Sequence, residues 1–175
     1  MGAEQNDEYR EANFWVYFII FWVYSLGGSI VEHVAYFLGN KRKAITNPIL
    51  TGFPIYGLGA YFVIYINRAM KQAMDPEGDD PDKQPNPVIE FLLYAFALTA
   101  IEYATGILLK AGKTSYVECG FIHGWDYSKD AYNLDGIVKL QNFIAFGVFG
   151  LLVTRIHPHL VKQVNKIFVC TDASQ

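Results

Sequence analysis

The sequence predicts an all-α, polytopic membrane protein with four transmembrane helices and an ordered polar loop before the last of them. Three observations lead there. Phe14–Val31 carries no charge over 18 residues, and the stretch 44–67 carries none at all. Residues 91–109, FLLYAFALTAIEYATGILL, are apolar apart from Glu102. A span requires about 20 apolar residues at about 1.5 Å rise each.

Composition narrows the function classes. The chain has 175 residues, enough for one domain, with 52% hydrophobic, 16% aromatic and 18% charged residues. Mean hydropathy is only +0.16, because apolar blocks alternate with long polar loops. The net charge is -3, and the one basic cluster is Lys41-Arg42-Lys43. That balance argues against nucleic acid as a partner. Cys119 and Cys170 form no disulfide framework and fit no metal spacing. The N-terminus is acidic and the first apolar run long, as in a retained span rather than a cleaved signal.

Taken in order, residues 1–13 form a polar, acidic lead-in. The first span covers about 14–38, with Trp15, Tyr17, Trp22 and Tyr24 as aromatic anchors. After the basic turn, Pro48 and Pro54 delay the second span to about 51–67, with Pro54 in its first turn. Residues 75–87, DPEGDDPDKQPNP, hold four prolines, one glycine and five acids, which makes them a solvated linker. The third span covers about 88–109. Residues 110–135 are polar but rich in Tyr, Phe and Trp, so they read as an ordered cap over the bundle. The fourth span covers about 137–156 and closes on Arg155, His157, Pro158 and His159, an interfacial stop. An amphipathic tail completes the chain at 160–175. Four spans make a membrane domain over 14–159 and bring both termini to one side. The Lys/Arg rule does not orient it. Arg10, Arg68, Lys71, Lys83, Arg155, Lys162 and Lys166 balance Lys41, Arg42, Lys43, Lys110, Lys113, Lys129 and Lys139.

Spans one and three align at their acids: Ser29-Ile30-Val31-Glu32 over Thr99-Ala100-Ile101-Glu102. Each then reaches a basic turn, the pattern of a two-helix repeat. Small and polar residues recur at three- and four-residue spacing on all four spans. They are Ser25, Gly28, Ser29, Glu32 and Tyr36 on the first, and Gly52, Tyr56, Gly59 and Ala60 on the second. The third offers Ala95, Thr99, Glu102 and Gly106, the fourth Gly136, Phe143, Gly147, Gly150 and Thr154.

An acid at membrane depth is costly and requires a reason. Glu32 and Glu102 admit three. They line a pathway for a cation, a proton or a polar substrate. Alternatively they are buried structural groups bonded to Tyr56, Lys139, Asn142 or a helix N-terminus. Or each faces headgroup water near its span's end.

Other chemistry is poorly served. His33 faces away from Glu32, His123 stands alone, and His157-Pro158-His159 lacks the i, i+4 spacing of a helical metal pair, so no metal site is expected. Gly106-Ile-Leu-Leu-Lys-Ala-Gly112-Lys113-Thr114 has five residues between its glycines where a phosphate loop has four, and it ends an apolar span. No cofactor is expected. No nucleophile accompanies the carboxylates, so the chain does not read as an enzyme.

The order of motifs resembles the family described as Putative ABC-transporter type IV, a permease-like group of small multi-spanning proteins. The resemblance rests on Gly28-Ser29-Ile30-Val31-Glu32, Gly52-Phe53-Pro54-Ile55-Tyr56-Gly57-Leu58-Gly59 and Glu102-Tyr103-Ala104-Thr105-Gly106. It continues through the loop motif Trp125-Asp126-Tyr127-Ser128, Asn133-Leu134-Asp135-Gly136, Gly147 with Gly150, and His157-Pro158. Family members tend to carry an aromatic at Ser29 and basic residues at Ile137 and Gln141, where this chain has Lys139 instead. The resemblance implies a transport or channel component without its own ATPase. The other reading is a structural membrane subunit anchoring a larger assembly, such as a viral inner membrane or capsid. On either reading the partners are the bilayer and other protein subunits, with room for a homo-oligomer. The membrane of residence is not written in the sequence.

Overall fold

The computed structural model describes residues 14–38, 53–78, 84–111 and 127–172, excepting the side chains at 32, 33, 35–38, 53, 109–111 and 168–172. Among them are four helices and one short ribbon. These are α1 (Phe14–Leu38), α2 (Phe53–Met74), α3 (Pro87–Ala111), β1 (Asn133–Leu134), β2 (Val138–Lys139) and α4 (Leu140–Asp172). Residues 1–13, Gly52, Cys119, Trp125 and Asp126 lie outside the described residues, as do the side chains of Glu32, His33, Tyr36 and Cys170.

Among the described residues, three helices are long and apolar enough to cross a membrane: Phe14–Val31, Pro87–Leu108 and Leu140–Ile167. They are apolar on the outside too. On α1, Trp15, Phe18, Val23, Leu26 and Ile30 are all exposed, as are Leu92, Leu93, Phe96 and Leu108 on α3. Surfaces of that kind suit lipid and not water. The second expected span, α2, is not among the three. Its C-terminal third carries Asn67, Arg68, Lys71 and Gln72, and the uncharged run before it begins outside the described residues.

The chain divides into two compact units. The first comprises Met1–Phe62 and Val153–Gln175, so it holds α1, the start of α2 and the end of α4. Its core is a stripe of Val16, Ile20, Tyr24, Ser25 and Ser29 on α1. Glycines set the α1–α2 approach. A Cβ on Gly28 would lie 2.6 Å from the Cβ of Tyr56, and one on Gly57 would strike Phe21 and the Ser25 hydroxyl. Gly28 and Gly57 thus sit where α1 and α2 come into close contact, with Tyr56 packed on Gly28. From α4 the unit buries Val153, Thr154, His157, Val161 and Val164.

That last stripe corrects the expected boundary at about 156. The helix runs unbroken through Pro158 to Asp172. The buried positions keep three- and four-residue spacing on both sides of the proline, so packing holds the helix in phase across it. A proline inside a helix forfeits one backbone bond and costs about 3 kcal/mol in water. Apolar helices in membranes tolerate it where neighbours compensate.

The second unit, Val63–Leu152, holds the end of α2, α3, the ribbon and the start of α4. Here α2 outruns its expected end by seven residues to Met74. Ala, Met, Lys and Gln favour helix whether or not they suit a bilayer. Asp75 precedes Pro76, which disfavours further helix. Asn86 then caps α3: its Oδ1 accepts the Val88 amide at 2.9 Å, and Pro87 takes the first helical position. Gly147 and Gly150 of α4 meet Phe91 and Tyr94 of α3, and Gly106 of α3 meets Ile137; a Cβ on Gly150 would lie 2.5 Å from that of Tyr94. At all three positions the neighbouring side chain occupies the space a Cβ would take.

The polar stretch before α4 is not all helix or irregular loop. Asn133 pairs with Lys139 and Leu134 with Val138 in an antiparallel ribbon, which displaces the start of α4 from 137 to Leu140. Its turn has φ of 55° at Asp135 and 65° at Gly136, a pair of left-handed positions suited to Asp-Gly. Ile137 N closes it on Leu134 O at 3.0 Å. Gly136 is also crowded: a Cβ there would lie 3.1 Å from the Ser128 backbone nitrogen. Gly136→Val therefore combines left-handed strain with a clash. It should lower unfolding free energy by about 1–3 kcal/mol, seen as a reduced thermal midpoint in detergent. An unchanged midpoint would mean that the turn contributes nothing to stability.

Candidate functional site

In the second unit, α3 buries Glu90, Tyr94, Ala95, Leu98 and Glu102 on one face. Two of these five are carboxylic acids. They sit twelve positions apart, about 18 Å along the helix axis.

Glu102 is 8% exposed. Asn142 of α4 donates from Nδ2 to Glu102 Oε1 at 3.0 Å and to Tyr127 Oη at 2.9 Å. Within the Pro87–Leu108 span, Glu102 stands six residues, about 9 Å, from the C-terminal end. Its carboxyl group is enclosed by protein neighbours. Asn142 is among the partners the sequence offers it, and the structure brings those two together.

Lys139 takes another place. Its Nζ lies 2.6 Å from Asp130 Oδ2 and 4.5 Å from the centre of the Tyr127 ring. Tyr127, the described member of the Trp125-Asp126-Tyr127 motif, is thus held at both ends, ring under a cation and hydroxyl on an amide. Nearby, Tyr103 donates to Asp135 at 2.6 Å and ties α3 to the ribbon turn. Tyr56 packs on Gly28 in the first unit. Glu32 lies on α1, with its side chain outside the described set.

Sequence reasoning missed the second acid. Glu90 is fully buried, and its Oε1 accepts from Asn67 Nδ2 at 2.7 Å and Tyr94 Oη at 3.1 Å. Asn67 Nδ2 also reaches Tyr94 Oη at 2.9 Å, so the three side chains close a triangle. Glu90 passes for an ordinary acid in a helix's first turn. The available signal was the i, i+4 pair Glu90–Tyr94 on the same face as Glu102.

His157 was missed as well. It is 4% exposed, with Nδ1 3.4 Å from Tyr24 Oη and the Tyr61 ring edge-on at 6.4 Å. Tyr61 in turn donates to the Tyr17 carbonyl at 2.6 Å. Among the described residues no group of three His, Cys, Asp or Glu side chains could hold a metal.

A family model, Putative ABC-transporter type IV, matches residues 19–171. The chain belongs to this family. The match spans both units and takes in Glu90, Glu102, Asn142 and His157. Together with the three apolar helices, membership makes the chain a membrane protein of a transport-related family. No curated protein and no solved structure gives a significant match.

The Glu90 triangle yields a stability prediction. Asn67→Leu removes the donor shared by Glu90 and Tyr94 and should cost about 1–3 kcal/mol. Asn67→Gln should recover part of it. Denaturant unfolding in detergent measures both, and a neutral Asn67→Leu would show that the triangle is not closed.

Proposed function

We propose that this chain is a permease-like, four-span component of a transport or channel system that has no ATPase of its own, with Glu102 in the transported species' path. The observation that carries the reading is the Glu102–Asn142–Tyr127 cluster. A carboxyl group inside an apolar helix costs about 3 kcal/mol even on the most lenient insertion scales. Here it is retained and furnished with a neutral amide, a partner that leaves it able to take up a proton or cation. Family membership supports the same class.

The fourth span of this reading is α2, preceded by the uncharged stretch 44–67. Four crossings return both termini to one side. No chemical conversion belongs to the reading, and energy would come from a partner subunit.

The closed triangle at Glu90 favours a second reading. Buried polar groups that satisfy one another also serve a structural membrane subunit of a larger assembly. Proton flux separates the two. The full chain is reconstituted in liposomes holding a pH-sensitive dye and driven by a potassium diffusion potential. On the transport reading the wild type conducts above empty vesicles, and Glu102→Gln falls toward background by about tenfold or more. Wild type and Glu102→Gln at the same background would overturn the transport reading and leave the structural one.

A further inference from the structure

The contacts around Glu102 form one continuous chain that ends outside the span. Asn142 gives one amide nitrogen to both Glu102 and Tyr127. The Tyr127 ring lies under the Lys139 ammonium, and Asp130 holds that ammonium. We propose that Lys139, latched to Asp130, is a positioning residue for Glu102, and that the 127–139 segment is a cap controlling proton access to that acid. The cap's role in access rests on the pathway reading of Glu102; the positioning role does not.

Local structure explains why Lys139 can do this. Ribbon pairing with Asn133 fixes its backbone, and the Leu140 amide bonds the Tyr132 carbonyl at 3.1 Å. Asn142 follows three residues later, within reach of the same side of the chain as the helix begins. Asp130 is fixed independently. Its amide donates to the Tyr127 carbonyl at 2.9 Å, and its own carbonyl accepts from Asn133 Nδ2 at 2.7 Å. The Tyr127 amide in turn donates to Gly136 O at 2.9 Å. Backbone anchors thus hold Asp130 and Tyr127 on either side of the lysine side chain.

Burial grades along the chain in the direction a proton would travel. The side chains of Asp130 and Lys139 are 28% and 16% exposed; Tyr127 and Glu102 are 9% and 8% exposed. With the cation gone, Tyr127 loses the partner on its ring face. Its hydroxyl then no longer competes for Asn142 in a fixed place, and the donor on Glu102 loosens. The carboxyl group opens toward the ribbon side.

Carbodiimide labelling tests this directly, because dicyclohexylcarbodiimide modifies protonated carboxyls in apolar surroundings. The full-length protein in detergent is labelled, digested, and quantified by mass spectrometry at Glu102 and at Glu90. In Lys139→Met the labelling rate at Glu102 should rise about fivefold, the scale set by losing one cation–π contact and its latch. Lys139→Arg keeps the cation and should stay within about twofold of wild type. Glu90, held by a separate triangle, reports general loosening and should not change. An unchanged Glu102 rate in Lys139→Met overturns the proposal, and so does a parallel rise at Glu90. If flux depends on Glu102 while labelling ignores Lys139, the latch fails and the pathway stands. If labelling responds while flux is absent, the pathway fails and the latch stands.

Discussion

A carboxyl group within an apolar helix must find its hydrogen-bond donors in the protein, because lipid offers none. That constraint organises the second unit. Glu102 obtains its donor from Asn142, which requires α4 to begin close beside the C-terminal part of α3. The ribbon brings this about: it occupies residues that periodicity would assign to helix, and delays α4 to Leu140. The Asp-Gly turn, the Tyr103–Asp135 bond and the contact of Gly106 with Ile137 all hold the ribbon against α3. Gly147 and Gly150 then let α4 approach Phe91 and Tyr94 closely. Glu90 meets the same demand differently, with donors from α2 and from its own next turn.

Much of this was legible in the sequence, for reasons that can be assigned. The apolar runs set α1, α3 and α4, because length and hydropathy are nearly sufficient for a helix in lipid. Glu102 stood out as a single acid in such a run, and Asn142 lay among its offered partners. Lys139 was also offered as a direct partner; it reaches the acid only through Tyr127 and Asn142. Glu90 did not stand out, because it sits where an acid is commonly favoured at a helix start. Asn67 looked like the end of a span and is instead the donor that Glu90 needs.

Two boundaries show where linear reading stops. Proline, flanked by two histidines, looks like a terminus, and in water it would usually be one. In α4 the buried stripe Val153, Thr154, His157, Val161 and Val164 continues in register across Pro158, so tertiary packing overrides the local penalty. The second boundary is α2, where hydropathy ends near Asn67 but helix propensity carries on to Met74. Hydropathy reports on solvent and propensity on backbone, and at the end of a span the two part company. The ribbon had a readable signal in Asn133-Leu134-Asp135-Gly136, since Asp-Gly between apolar residues is a strong hairpin cue. An all-α expectation left it unused.

Glu102 and Asn142 are direct partners on facing parts of α3 and α4. A double-mutant cycle on unfolding free energy, with Glu102→Leu, Asn142→Leu and the pair, measures that coupling. Removing one partner strands the other's polar group, whereas removing both is far milder. The expected coupling is about 1–3 kcal/mol, with the double variant more stable than the two single effects sum to. Additivity within about 0.5 kcal/mol would contradict it.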